Sequence, residues 1–148
     1  MPRLILPKRA LTGVLLLAAV VCAAPSRLRA QDAVIVVVSA ANPVAEIGRD
    51  EVMKLFLKTI SKFPSGTPAA PVNNRSAAGA FAKEVLRRPG SAVDSYWQQR
   101  IFSGKDVPPP EKGSDAEVLA FVRANPEAIG YVTAGTALTP GVKAVKVN

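Results

Sequence analysis

The chain has 148 residues, a single Cys, no His and a formal net charge of +8. Without His, and with Cys22 lying close to the N-terminus, it lacks the material for the usual Ser-His-Asp or Cys-His triads and for a His/Cys zinc site. Its length suits one domain.

The first 30 residues read as a secretory signal peptide. Arg3, Lys8 and Arg9 make a positive start, Ala10 to Ala24 is almost entirely apolar, no acid precedes Asp32, and Leu28-Arg29-Ala30 offers a cleavage site before Gln31. The apolar run is short for a membrane span, which argues against a retained anchor. Cleavage after Ala24 would place Pro25 beside the cut, and the bulky Val21 before Cys22 argues against lipid attachment. The expected division is residues 1–30 signal peptide and residues 31–148 folded domain, a mature chain of 118 residues that has no cysteine. An exported, cysteine-free domain fits a bacterial periplasm. Of the 19 Lys and Arg, five precede Gln31, which leaves 14 against 11 acids and a mature net charge of +3. The high pI is therefore largely a targeting effect. No basic stripe with interleaved aromatics remains, so nucleic acid is not an expected partner.

Ala33 to Ser39, AVIVVVS, is a continuous β-branched run, as in a strand covered on both faces. Asn42-Pro43 breaks it. Val52, Leu55 and Phe56 then recur at helical spacing behind Asp50 and Glu51, which predicts a helix over 50–57 with acids in its first turn. Lys58 to Pro71 is rich in Pro, Ser and Gly and reads as turns, with a short strand around 69–73 whose Pro68 and Pro71 suit an edge. Ala77 to Arg88 predicts a helix with Phe81, Val85 and Leu86 inward, stopped by Pro89-Gly90. Ser91 is expected to cap the next helix, 92–102, whose apolar face would carry Val93, Trp97 and Ile101. Pro108-Pro109-Pro110 reads as an extended connector. Ser114-Asp115-Ala116-Glu117 is a capping box for a helix with Val118, Leu119 and Val122 inward, ended by Asn125-Pro126. Ile129 to Val132 reads as a buried strand and Val142 to Val147 as a half-exposed one. Strands interleaved with helices predict an α/β layered domain with a mixed sheet flanked by helices.

No constellation carries catalytic chemistry. Asp50-Glu51 and Asp115/Glu117 are paired acids, but both pairs sit at predicted helix starts, where they complement the helix dipole. No phosphate-cradling glycine motif occurs. The expectation is a protein that is not an enzyme and needs no cofactor or metal. Binding is different, because a helix N-terminus offers unsatisfied N–H groups to an anion. Of the starts at Ser76/Ala77, Ser91 and Ser114, the first has a neighbouring Arg and small residues that let a ligand approach.

The ordered set VIVVVSAANPV, EVMKLFL, KFPSG, PVNNRSAAGAF, YWQQRIFSGK and SDAEVLAFVRANPEAIGYV resembles the phosphate ABC-transporter substrate-binding proteins, over about Ala33 to Val147. The resemblance implies a single lobe of the type 2 periplasmic-binding fold. It also implies phosphate or a similar oxyanion as ligand, a role in phosphate transport or sensing, and a membrane transporter or receptor as partner. Full-length members place an Arg, then a hydroxyl-rich run, then Phe before the phosphate-site helix. Anchored on Phe81, that run falls on Ala77, Ala78 and Gly79, so its hydroxyls are absent, and the family Arg falls near Asn73 or on Arg75. The implied ligand-binding set is Ser39, Asn73, Asn74, Arg75, Ser76, Ala77, Ala78 and Gly79, with Ser39 assigned from its place at the end of the first strand. One lobe leaves the half-site open to water, so weak binding is expected, unless two copies pair as a homodimer. The alternative is a non-catalytic interaction module that keeps the lobe fold without the ligand, with Tyr96 and Trp97 as candidate anchors.

Overall fold

The computed structural model describes residues 33–148, so the signal peptide expected over residues 1–30 lies outside the described residues. The central strand is β1 (Val34–Ser39), hydrogen-bonded to β6 (Ala128–Thr133) on one side and β7 (Val142–Val147) on the other, antiparallel to both. Two short strands close the edges: β2 (Glu46–Ile47) runs parallel to β7, and β3 (Ala70–Pro71) runs parallel to β6. The five-stranded order is β2-β7-β1-β6-β3. Four strands thus point one way, and β1 alone points the other. A separate parallel pair joins β4 (Asn73–Asn74) to β5 (Glu111–Lys112). Pro71 lies in an edge strand, as its missing N–H requires.

Both faces of the sheet are covered, because β1 alternates its valines between them. Val36 and Val38 face a core that includes Leu55 and Phe56 of α1 (Arg49–Phe56) and Phe81 of α2 (Ala78–Glu84). Val37 faces a second core built on Val118, Leu119 and Val122 of α4 (Asp115–Ala124). The run of β-branched residues therefore behaves as expected of a strand buried on both sides. Phe56, Phe81 and Tyr131 form an aromatic cluster: the Phe81 and Tyr131 rings stack with centroids 3.8 Å apart, and Phe56 meets both edge-on.

Three predicted features come out differently. The helix expected over 77–88 is preceded by a 3-10 turn (Arg75–Ala77) and stops at Glu84. Arg87 takes a positive φ of 52° and Arg88 precedes Pro89, a position that disfavours helix. The next helix, α3 (Gly90–Phe102), begins after Pro89, which takes the cap position with an extended ψ of 151° and makes no side-chain capping bond; Ser91 lies in the first turn and is not the cap. Trp97 is buried and Val93 partly so, but Ile101 is half exposed. α2 has 7 residues and α3 has 13, so the shorter helix cannot cover the last turn of the longer one. The edge strands β2 and β5 were invisible to periodicity, each being two residues long. Ser114 caps α4 as expected, accepting from Glu117 N–H, although the Glu117 carboxylate returns to Gly113 N–H, one residue before the cap.

At Gly130 in β6 the sheet and α4 pack too tightly for a side chain. A Cβ there would lie 2.8 Å from Val118 Cγ1 and 3.0 Å from Val72 Cγ1. Gly130→Ala is accordingly expected to destabilise the fold by about 1–3 kcal/mol, the usual cost of overpacking, as measured by denaturant unfolding.

Candidate functional site

The loop from Asn73 to Gly79 leaves the sheet through β4 and enters α2 by way of the 3-10 turn. Asn74 is its anchor and has no exposed surface. Its side-chain oxygen accepts from Ser76 N–H (3.1 Å) and from the Ser76 hydroxyl (2.7 Å), which caps the turn. Its amide nitrogen donates to the Tyr131 carbonyl (3.0 Å) and to Asp115 Oδ1 (2.6 Å).

Asp115 does more than complement the dipole of the helix it opens. It begins α4, but its carboxylate reaches across to the loop. Oδ1 accepts from Asn74, from Thr133 N–H (3.2 Å) and, at longer range, from Ser76 Oγ (3.4 Å); Oδ2 accepts from Thr136 Oγ1 (3.0 Å). Burial would by itself raise its pKa. The bonds from Asn74, Thr133 N–H and Thr136 outweigh that effect and hold it below the ordinary carboxylate value of 3.8. The donors beside the loop thus hold an oxyanion that belongs to the chain itself.

Arg75 stands at the outer side of the same turn. Its guanidinium contacts Glu111 Oε1 of β5 at 2.7 Å through both Nε and Nη2. The Arg75 side chain is 75% exposed and Glu111 41%, so this is a surface pair, screened by water and salt. Tyr131 sits beneath the loop. Burial pushes its hydroxyl up to about 12, the Asn74 carbonyl bond opposes that shift, and the Glu111 charge adds to it. The Tyr131 hydroxyl makes only long bonds, 3.4 Å to the Asn74 carbonyl and 3.5 Å to Asn73 Oδ1.

Of the predicted set, Asn73, Asn74, Arg75, Ser76, Ala77, Ala78 and Gly79 are brought together by their contiguity. Ala77 is buried, Gly79 is exposed, and Ala78 is half-buried. Ser39 is placed elsewhere. It pairs with Val142, and its neighbour Val38 pairs with Ile129, whereas Asn74 bonds to Tyr131, which pairs with Val36. Ser39 therefore lies roughly 10 Å along the strand from the level of the loop. The assignment of Ser39 assumed a first strand parallel to its neighbours; β1 runs antiparallel, so its carboxyl end is at the opposite end of the sheet. Ser39 Oγ instead accepts from Ala41 N–H. Asp115, Glu111, Thr136 and Tyr131 are the polar neighbours that sequence reasoning missed. Glu111, Asp115 and Tyr131 lie 36, 41 and 57 residues from the loop residues they bond, and Thr136 reaches the loop only through Asp115; no local signal marked them.

No family model matches the sequence, and no curated protein matches it. Among solved structures, an ABC-type phosphate transport receptor from Vibrio cholerae is similar over 77% of this chain and 45% of its own, with a TM-score of 0.55 and 18% identity. A phosphate ABC transporter substrate-binding protein from Clostridium perfringens, with bound phosphate, is similar over 77% and 44%, with a TM-score of 0.58 and 17% identity. PstS from Borrelia burgdorferi is similar over 78% and 47%, at 0.55 and 17%. The described residues therefore share the fold of part of these phosphate-transport proteins, as the ordered motifs implied. The chain spans slightly under half the length of these structures.

Asp115 links the network to pH. A carboxylate with a depressed folded pKa contributes stability that is complete above the unfolded value and lost as pH falls through the folded one. Asp115→Asn is expected to cost about 1.5–3 kcal/mol at pH 7, the value of hydrogen bonds to a charged group. Urea unfolding from pH 7 to pH 2 should show the difference between wild type and variant narrowing below about pH 4.

Proposed function

We propose that this protein is a periplasmic solute-binding-type protein, without catalytic activity, that holds phosphate or a similar oxyanion weakly at the Asn73–Gly79 loop and serves phosphate transport or sensing. The observation that carries this reading is the donor set around Asp115: Asn74, Thr133 N–H and Thr136 already accommodate the two oxygens of a carboxylate, beside an exposed Arg75. The fold shared with phosphate-binding proteins supports it. Asp115 occupies the inner donors and Glu111 neutralises Arg75, so an external anion competes with two resident carboxylates. Contacts made in water add little to each ion's binding. Both effects make the affinity low.

Calorimetric titration of the exported protein with phosphate, sulfate and molybdate is the direct test. The expected Kd for phosphate is on the order of 1 mM, or about −4 kcal/mol. Glu111→Gln releases Arg75 and is expected to tighten binding about two- to threefold, the scale of one exposed ion pair. Absence of heat and of any melting shift at millimolar anion, in wild type and in Glu111→Gln alike, would overturn the reading.

A second reading, an interaction module that keeps the lobe fold without the ligand, is favoured by the end of α3. Ile101, Phe102 and Val107 are exposed together there, Phe102 to 91%. The candidate anchors of the sequence reading are instead engaged: Trp97 is buried, and the Tyr96 hydroxyl donates to the Leu57 carbonyl at 2.7 Å. Phe102 is the better anchor for a transporter, a receptor or a second copy. Light scattering and pull-down from a membrane extract decide it: recovery of such a partner, or a dimer that Phe102→Asp returns to monomer, supports the reading, and a strict monomer that captures neither refutes it.

A further inference from the structure

The Asn73–Gly79 loop opens on a cleft of about 560 Å³ between α2 and α3. Asn73, Ala78 and Gly79 form part of its wall, so loop and cleft belong to one site. The rest of the wall is mostly apolar, with Leu86, Val93 and Ile101 beside Trp97. A cavity of this size suits an organic ligand, and a bare phosphate would leave most of it to water.

Two polar side chains in that wall are more than nine-tenths buried and keep unused hydrogen-bonding capacity. Trp97 is 7% exposed, and its indole N–H donates to no acceptor among the described residues. That N–H is not sealed off, because Arg100 Nε is the one fully enclosed side-chain nitrogen or oxygen without a partner among the described residues; the indole is open through the cleft that Trp97 lines. Tyr131 is 1% exposed, and its hydroxyl makes only the bonds of 3.4 and 3.5 Å, longer than ordinary O–H···O bonds. Asn73 uses its side-chain oxygen for Tyr131, and its amide nitrogen donates to no acceptor among the described residues. Buried donors are normally satisfied, so an N–H and an O–H left short in one cavity point to a guest that brings acceptor oxygens.

We propose, on the basis of the oxyanion reading above, that the ligand of this site is an organic oxyanion with a compact apolar body, of the alkyl phosphate monoester class. Its oxygens accept from Asn73, Tyr131 and Trp97, and its body lies against Leu86, Val93 and Ile101. Asp94 and Glu111 are the charged side chains of the lining. Glu111 is met by Arg75, and Asp94 is exposed and screened by water, so neither bars a single anionic head. They do oppose a ligand that is negative at both ends.

Trp97 is the one Trp of the chain, so its fluorescence reports on the cleft. The purified protein is titrated with hexyl phosphate, inorganic phosphate and 1-hexanol, which present head and tail together and each alone. A saturable change is expected with hexyl phosphate, at a Kd at least about tenfold below that of phosphate or of hexanol, because burial of the tail adds to the contacts of the head. Calorimetry on Trp97→Phe, which keeps a ring and loses the N–H, should show hexyl phosphate weakened about three- to tenfold. Ile101 is half exposed, so Ile101→Ser is expected to fold normally and to weaken hexyl phosphate severalfold. Hexyl phosphate binding no tighter than inorganic phosphate would overturn this inference and leave the oxyanion reading standing. Hexanol as tight as hexyl phosphate would also overturn it, since the head would then contribute nothing. No response to either hexyl phosphate or inorganic phosphate overturns both.

Discussion

Asn74 is wholly buried, so its side-chain amide must find its hydrogen-bond partners inside the protein. It does so in three directions: back to Ser76 to close the turn, down to the Tyr131 carbonyl on β6, and across to Asp115 at the start of α4. One side chain thereby locks the loop, the central sheet and the last helix into a common geometry. An unsatisfied polar group at such a place costs on the order of 1–3 kcal/mol, so the three directions are strongly coupled. The 3-10 turn that leads into α2 starts from that anchor.

The same network underlies the low affinity proposed for the loop. A helix entrance with free donors would be an open invitation to an anion. Here the donors converge on a carboxylate supplied 41 residues later in the chain, and the single Arg of the loop is met by Glu111 from the paired strand. The resident carboxylates stabilise the fold and raise the threshold for an external anion at once. A trade of binding for structural coherence fits a loop in which Ala77, Ala78 and Gly79 stand where the resembled family carries hydroxyls.

The sheet direction matters as much as the side chains. β1 is central and antiparallel to both neighbours, whereas the other four strands of its sheet run together. The rule that ligands gather at carboxyl ends of strands holds for parallel sheets. A single reversed strand removes its own end from that place, and Ser39 goes with it. Nothing in AVIVVVS encodes direction, because a fully buried strand has the same hydrophobic pattern whichever way it points.

Local signals were sufficient wherever a residue's role is set by its immediate neighbours. Val, Ile and Tyr runs marked β1 and β6, the i, i+3, i+4 apolar spacing marked α1 and α4, Ser114 marked a cap, and Ser76/Ala77 marked the helix entrance. The length of α2 was overestimated because the positive φ at Arg87 has no signature in an Arg side chain. Ile101 was read inward because helical spacing says which residues share a face, and not how far a neighbouring helix extends to cover it. The partners of the loop were illegible for a related reason: Glu111 and Asp115 are joined to it by chain folding across 36 and 41 residues. Periodicity and capping are short-range properties that a linear sequence carries. The charge an anion would meet is a sum over groups that only the packed structure brings within hydrogen-bonding reach.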